Sequence, residues 1–150
     1  MNEDLPVVLV VDDAMDNITI ISGLLSSYKV KVAINGEVAL KLARKSPPDI
    51  ILLDVMMPVM DGYETCRIIK NDEQLKDIPV IFLTSKNEVA DETKGFEMGA
   101  EDFITKPVNP VILLTRVKTH LELKRARDFL KSENIYLEAE VSRRTKENQF

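Results

Sequence analysis

Val7–Val11 reads VVLVV and runs directly into Asp12 and Asp13; Asp49–Asp54 reads DIILLD and leads into VMMPVMDG, ending at Gly62. A short, unbroken apolar run rich in β-branched residues has no polar side to turn to water, so it reads as a strand buried on both faces. Pro79–Thr84 (PVIFLT) repeats the pattern, and Lys29–Ala33 (KVKVA) and Asp102–Thr105 (DFIT) are weaker versions of it. Helical spacing fills the intervals. Asp16–Tyr28 carries Ile18, Ile21, Leu24 and Leu25; Glu37–Lys45 carries Val38 and Leu42; Tyr63–Lys70 carries Tyr63, Cys66 and Ile69; Glu88–Met98 carries Val89, Ala90 and Phe96. Gly36, Gly62, Gly99 and the prolines punctuate these segments. Strand then helix, repeated about five times, predicts an α/β domain with a parallel sheet and helices on both faces.

The C-terminal stretch differs. Asn109 and Pro110 read as the cap and first residue of a helix, and no glycine or proline follows to Phe150. Leu123, Leu130 and Leu137 recur every seven residues, with Asn134 and Val141 on the companion seam and Arg127 interrupting it. This pattern predicts a helix that leaves the domain as a short coiled coil, and hence a homodimer through that helix. The alternative is an amphipathic helix folded back on the same domain. The expected division is 1–122 for the globular domain and 123–150 for the helical linker.

Composition narrows the function. The 150 residues carry a formal charge of −5, unevenly spread: residues 110–150 hold nine basic and six acidic residues, and residues 1–109 hold 11 and 19. An acidic body argues against direct nucleic-acid binding and suits a cation. A single cysteine, Cys66, and a single histidine, His120, exclude an internal disulfide and multi-Cys or multi-His metal sites. No run approaches a membrane span, and the opening MNEDLP has no secretory character, so a cytoplasmic protein away from membranes is expected.

Open parallel sheets bind ligands beyond the carboxyl ends of their strands. Asp12 and Asp13 end the first predicted strand, Asp54 the third and Thr84 the fourth, and Lys106 follows the fifth. Taken singly, an Asp-Asp pair is an ordinary helix cap, Asp54 a turn residue, Thr84 a capping hydroxyl and Lys106 a surface lysine. Their joint placement at one edge is what argues for a site. Crowded carboxylates need a counter-charge, and a hard cation such as Mg²⁺ with oxygen ligands supplies it. A carboxylate beside that cation can be the nucleophile of a phosphoryl transfer, with Lys106 and Thr84 on phosphoryl oxygens. Spacing alone leaves a metal-dependent phosphohydrolase with Asp54 as nucleophile in play, and also an inactive interaction module.

The motifs VLVVDD (8–13), LLDVMMPVMDG (52–62), LTS (83–85) and GAEDFITKP (99–107) together resemble the receiver domain of two-component response regulators, over about residues 5–120. The resemblance implies a flavodoxin-like five-stranded parallel sheet of order 2-1-3-4-5. It implies Asp54 as the phosphoacceptor, and Asp13, Asp12, Asp54 and the backbone carbonyl of Met56 as the Mg²⁺ site. Thr84 and Lys106 would contact the phosphoryl group, Thr84 and Phe103 would form the switch, and the Lys106–Pro107 bond would be cis. The implied donor is a sensor histidine kinase or phosphotransfer protein. The domain would not be an enzyme beyond self-catalysed phosphorylation and dephosphorylation, and its output surface would be the fourth helix, fifth strand and fifth helix. Met56 and Ser85 occupy positions that vary in the family, which leaves the phosphoryl lifetime open, and Phe103 lacks the hydroxyl of a switch tyrosine. LEAEVSRRTKE (137–147) is similar to connectors that lead to an HD-GYP cyclic-di-nucleotide phosphodiesterase domain. The chain thus reads as a regulator truncated before its output domain, or else as a free-standing receiver.

Overall fold

The structure, a computed structural model, describes residues 5–85 and 96–147, with side chains as far as Val141. In chain order the elements are β1 (Val7–Val11), α1 (Met15–Leu24), β2 (Lys29–Ala33), α2 (Gly36–Lys45), β3 (Ile50–Asp54), α3 (Gly62–Lys70), β4 (Val80–Ser85), β5 (Asp102–Lys106) and α4 (Pro110–Glu147). The strands form one sheet in the order β2-β1-β3-β4-β5, and every pairing is parallel. Of the helix expected over 88–98, only 96–98 lie within the described residues, and Phe96 and Glu97 are helical.

The continuous apolar runs are explained by two cores. Side chains alternate across a strand, so Leu9, Val11, Ile51, Leu53, Val80, Phe82 and Phe103 face α2 and α3, where Leu40, Cys66 and Ile69 meet them. Their neighbours Val8, Val10, Ile50, Leu52, Ile81, Leu83 and Ile104 face α1 and α4, where Ile21, Leu113 and Val117 close the other side. Each such burial contributes about 1.5–3 kcal/mol, and a one-residue slip would exchange the two faces wholesale. The sheet register is therefore strongly determined, and with it the strand ends that carry polar residues.

Local chemistry sets the helix starts. The Asn35 side chain accepts the Val38 N–H at 2.9 Å, and Asp61 accepts the Glu64 N–H at 2.8 Å. Asn109 accepts from both Val111 and Ile112, at 2.9 and 3.1 Å, so it caps α4 ahead of Pro110. Helix α1 has no side-chain cap of its own; Asp12 Oδ1 takes the Ala14 N–H at 2.9 Å instead. Helix α1 also stops at Leu24, short of the expected Tyr28, and the Leu25 N–H closes its last turn on Ile21. Asp49 is not in β3; its carboxylate accepts the Val7 N–H at 2.7 Å and ties the start of β1.

Helix α4 has two parts with different surroundings. Leu113, Val117 and Leu121 are buried against the sheet, whereas Leu123 is 52% exposed and Leu130, Leu137 and Val141 are similarly open. The helix continues without a break past the domain and does not fold back on it. Lys131 still reaches Asp77 at 2.6 Å. No helix among the described residues is long and apolar enough to cross a membrane.

A Cβ at Gly62 would lie 2.2 Å from the Asp54 carbonyl oxygen, whereas one at Gly23 would meet nothing within 4 Å. Gly62→Ala should therefore destabilise the fold by about 1–3 kcal/mol or more. Gly23→Ala, inside α1, should stabilise it by roughly 0.5–1 kcal/mol. Urea unfolding midpoints that do not move in opposite directions would contradict this packing.

Candidate functional site

Parallel register carries five of the predicted residues to one edge of the sheet. Asp54 pairs with Leu83, one residue before Thr84; Thr84 pairs with Thr105; and Ser85 pairs with Lys106. Asp12 follows Val11, which pairs with Leu53, and its N–H donates to Ala33 O at 3.1 Å. Carboxylates from two distant parts of the chain therefore converge: Asp12, its neighbour Asp13 and Asp54 each present an oxygen within 4.8 Å of the others. Asp12 and Asp54 are buried and Asp13 is exposed, so the cluster opens to solvent on the Asp13 side.

Lys106 supplies the fixed counter-charge. Its Nζ lies 3.2 Å from Asp12 Oδ2 and 3.1 Å from Asp54 Oδ1, so a side chain from β5 reaches past β4 to the ends of the neighbouring strands β3 and β1. Three carboxylates against one ammonium leave two negative charges when all are ionised. That deficit and an all-oxygen donor set fit a divalent hard cation.

Thr84 is buried at the end of β4, and the Met56 N–H donates to Asp54 Oδ1 at 3.4 Å while its side chain is exposed. Phe103 is not at the site edge. Its ring points into the α2/α3 core, 5.6 Å from Phe82 and 4.7 Å from Phe96 between centroids, and is 6% exposed. The inward position follows from its chemistry, since a ring without a hydroxyl gains nothing by staying in water. The Lys106–Pro107 bond is cis. Sequence reading missed one cluster: Asp102 at the start of β5 pairs with His120 at 2.9 Å and with Arg116 at 3.8 Å. The available signal was the four-residue spacing of Arg116 and His120, which puts both on one face of α4.

The family model described as response regulator receiver domain matches residues 8–118. The chain belongs to the response regulator receiver domain family. It is 48% identical over 141 residues to the "Probable cyclic di-GMP phosphodiesterase" of Vibrio cholerae serotype O1, covering 93% of this chain and 32% of that protein. It is 42% identical over 126 residues to the response regulator PleD of Caulobacter vibrioides, covering 83% of this chain and 28% of that one. The receiver thus spans about a third of these relatives. Among solved structures, a response regulator from Chloroflexus aurantiacus J-10-fl superposes with a TM-score of 0.77 at 33% identity, covering 79% of this chain and 99% of that one. Vibrio cholerae chemotaxis protein CheY4 gives 0.72 at 33% identity, covering 77% and 98%. Receivers are the phosphoacceptor switch modules of two-component systems, and they interact with histidine kinases or phosphotransfer proteins.

The receiver's electrostatics make Asp54 unusual. Burial pushes its carboxyl up to about 6, against the pull of Lys106 and with the help of Asp12. Burial also opposes the charge on Lys106, but Asp54 and Asp12 outweigh it and the ammonium is held above its ordinary range. Burial pushes the Cys66 thiol up to about 12, which makes it a packing residue rather than a nucleophile.

Between the ordinary carboxyl value of 3.8 and about 6, folded Asp54 holds a proton that the unfolded chain has released. Its favourable contribution to folding is therefore full below that window and lost as pH rises through it. In EDTA, the melting-temperature advantage of Asp54→Asn over wild type should grow from pH 4 to pH 7. A difference that stays constant across that range would show that Asp54 is not strained by burial.

Proposed function

We infer that Asp54 is the phosphoacceptor of this receiver and that Asp12, Asp13, Asp54 and the Met56 carbonyl are the protein's contribution to a Mg²⁺ site. The observation that carries the reading is Lys106 Nζ held between Asp12 and Asp54, with Asp13 completing an oxygen cluster. The bound cation would offset the charge of the phosphoryl oxygens and of the carboxylates. Asp54 attacks phosphorus in line. An Asp54 oxygen–phosphorus bond forms as the phosphorus–nitrogen bond of a phosphohistidine breaks, and the imidazole leaves with the electron pair. Lys106 is positioned to turn from carboxylate to phosphoryl oxygen, and the Thr84 hydroxyl to donate to another. Nothing in this sequence of events turns over a substrate, so the domain is a switch with self-catalysed phosphorylation and dephosphorylation.

The switch reading rests on Thr84 and Phe103. Phe103 packs inward here, which supports a domain that samples its inward arrangement before phosphorylation and populates it more fully once Thr84 is drawn to the phosphoryl group. The 48% identity over 141 residues runs well past residue 122. We therefore divide the chain into a receiver, 1–122, and a connector, 123–150, of the kind that leads to a cyclic-di-nucleotide phosphodiesterase domain, in a cytoplasmic two-component pathway.

Incubation with acetyl phosphate and Mg²⁺ should add one phosphoryl group per chain, seen by intact mass, and Asp54→Asn should abolish it. Lys106→Ala should slow the labelling by on the order of 10²-fold, the usual effect of losing one charge-stabilising donor. Labelling undiminished in Asp54→Asn would place the acceptor elsewhere. Repeated turnover of a phosphomonoester would make the protein a phosphohydrolase.

The connector is read as the homodimer contact. Leu130, Leu137, Arg127, Asn134, Lys131 and Glu133 lie together along one side of the exposed part of α4, which matches the heptad seam and its flanks. With Asn134 and Arg127 on that seam, the association is weak enough to be tipped by the receiver's state. Sedimentation should give a larger mass for the full chain than for residues 1–122, and Asn134→Leu should tighten the association. Equal masses for chain and fragment would remove the coiled coil from the account.

A further inference from the structure

Phosphorylation at one edge of the sheet is of use only if it reaches the connector, and the coupling described here rests on Asp54 being the acceptor. Phe103 and α4 are joined by an unusually complete set of polar contacts. The Phe103 N–H donates to Asp102 Oδ1 at 2.8 Å. The Phe103 carbonyl accepts from the Arg116 guanidinium. Asp102 Oδ2 meets His120 Nε2 at 2.9 Å and Arg116 Nε at 3.8 Å. Both polar groups of one backbone residue, the one carrying the inward ring, are thus engaged by a single cluster, and two of that cluster's three side chains sit on α4.

The placement of these side chains matters as much as their number. Arg116 and His120 flank the buried stripe Leu113, Val117 and Leu121, so they share the face that α4 turns to the sheet. Nearer the helix start, a cleft of about 280 Å³ lined by Thr105, Lys106, Pro107, Ile112 and Arg116 separates α4 from the end of β5. Below that cleft the apolar contacts of Leu113 and Val117 with Ile104 hold α4 on the sheet, and the Asp102 cluster adds a directional tie beside them. Apolar contacts alone tolerate sliding or rotation, whereas two directional bonds from one helix, Arg116 to the Phe103 carbonyl and His120 to the Asp102 carboxylate, fix an angle.

We propose that Asp102, Arg116 and His120 form a latch that passes the position of the Phe103 backbone to α4, so that the phosphorylated receiver re-aims its connector as a rigid lever. These three are positioning residues: none touches Asp54 or the phosphoryl group, and they act through the strand carrying Phe103.

The test uses the full chain with spin labels at introduced cysteines, Lys41→Cys on α2 and Ser132→Cys on the exposed part of α4; both positions are exposed. Native Cys66 is buried and its thiol is held up to about 12, so it resists labelling. Labelled chains are diluted in unlabelled chains to isolate distances within one molecule. Phosphoryl content is measured in the same samples by mass. Wild type should show a distance change on phosphorylation. Asp102→Asn and Arg116→Gln, the second leaving β5 untouched, should keep the adduct and lose the change. A merely stabilising cluster would lower the melting temperature in both states and leave the change intact, which would overturn the latch. An adduct in wild type without any distance change would overturn it too, as would loss of the adduct itself in both variants. No adduct in wild type would instead refute the Asp54 reading on which the latch rests.

Discussion

The ammonium of Lys106, lodged between the carboxylates of Asp12 and Asp54, is the contact around which the remainder of the domain is organised. It joins the ends of β1, β3 and β5, which are far apart in the chain and are brought together by a sheet covered by an apolar core on each face. Without a cation at that position, two buried acids would face one another in a poorly solvated pocket, and such groups neutralise rather than stay charged. With it, the pocket keeps a net negative charge that is moderate, directional and open on the Asp13 side. A site that binds a divalent cation and accepts a phosphoryl group needs that intermediate condition: enough negative charge to attract the metal and enough fixed positive charge to receive the anion.

The sheet makes the condition durable. Strands that are apolar on both faces and covered by helices have one acceptable register, so the residues at their carboxyl ends cannot drift. Gly62 shows how closely the loop is drawn in: its missing Cβ lets α3 begin against the Asp54 carbonyl oxygen. The functional edge is thus built from short-range necessities, including a cap at Asp61 and a close approach at Gly62. None of these contributes to the chemistry itself.

Helix α4 links two environments. Its first three turns are core, its later turns are solvent-exposed, and the boundary falls between Leu121 and Leu123. A helix crossing such a boundary without a break transmits angle efficiently, because bending it costs backbone hydrogen bonds. The lever is attached through Asp102, Arg116 and His120 beside Phe103.

The sequence by itself determined the alternation of strands and helices, the approximate ends of the elements, and the identity of the acidic and basic residues at the strand ends. These are legible because periodicity, capping residues and glycine placement are local, and because burial on both faces writes an unbroken apolar run into the chain. The heptad spacing of Leu123, Leu130 and Leu137 was legible for the same reason. Tertiary structure alone decided the rest. That Lys106 bridges Asp12 and Asp54, that the Phe103 ring lies inward against Phe82 and Phe96, that Asp49 caps β1 rather than opening β3, and that Asp102 gathers Arg116 and His120 all depend on contacts between distant segments. Such contacts have no period in the sequence. They are set by how the helices settle on the sheet, and a charge whose partner lies 94 residues away, as for Lys106 and Asp12, looks like any surface charge until the fold brings the two together.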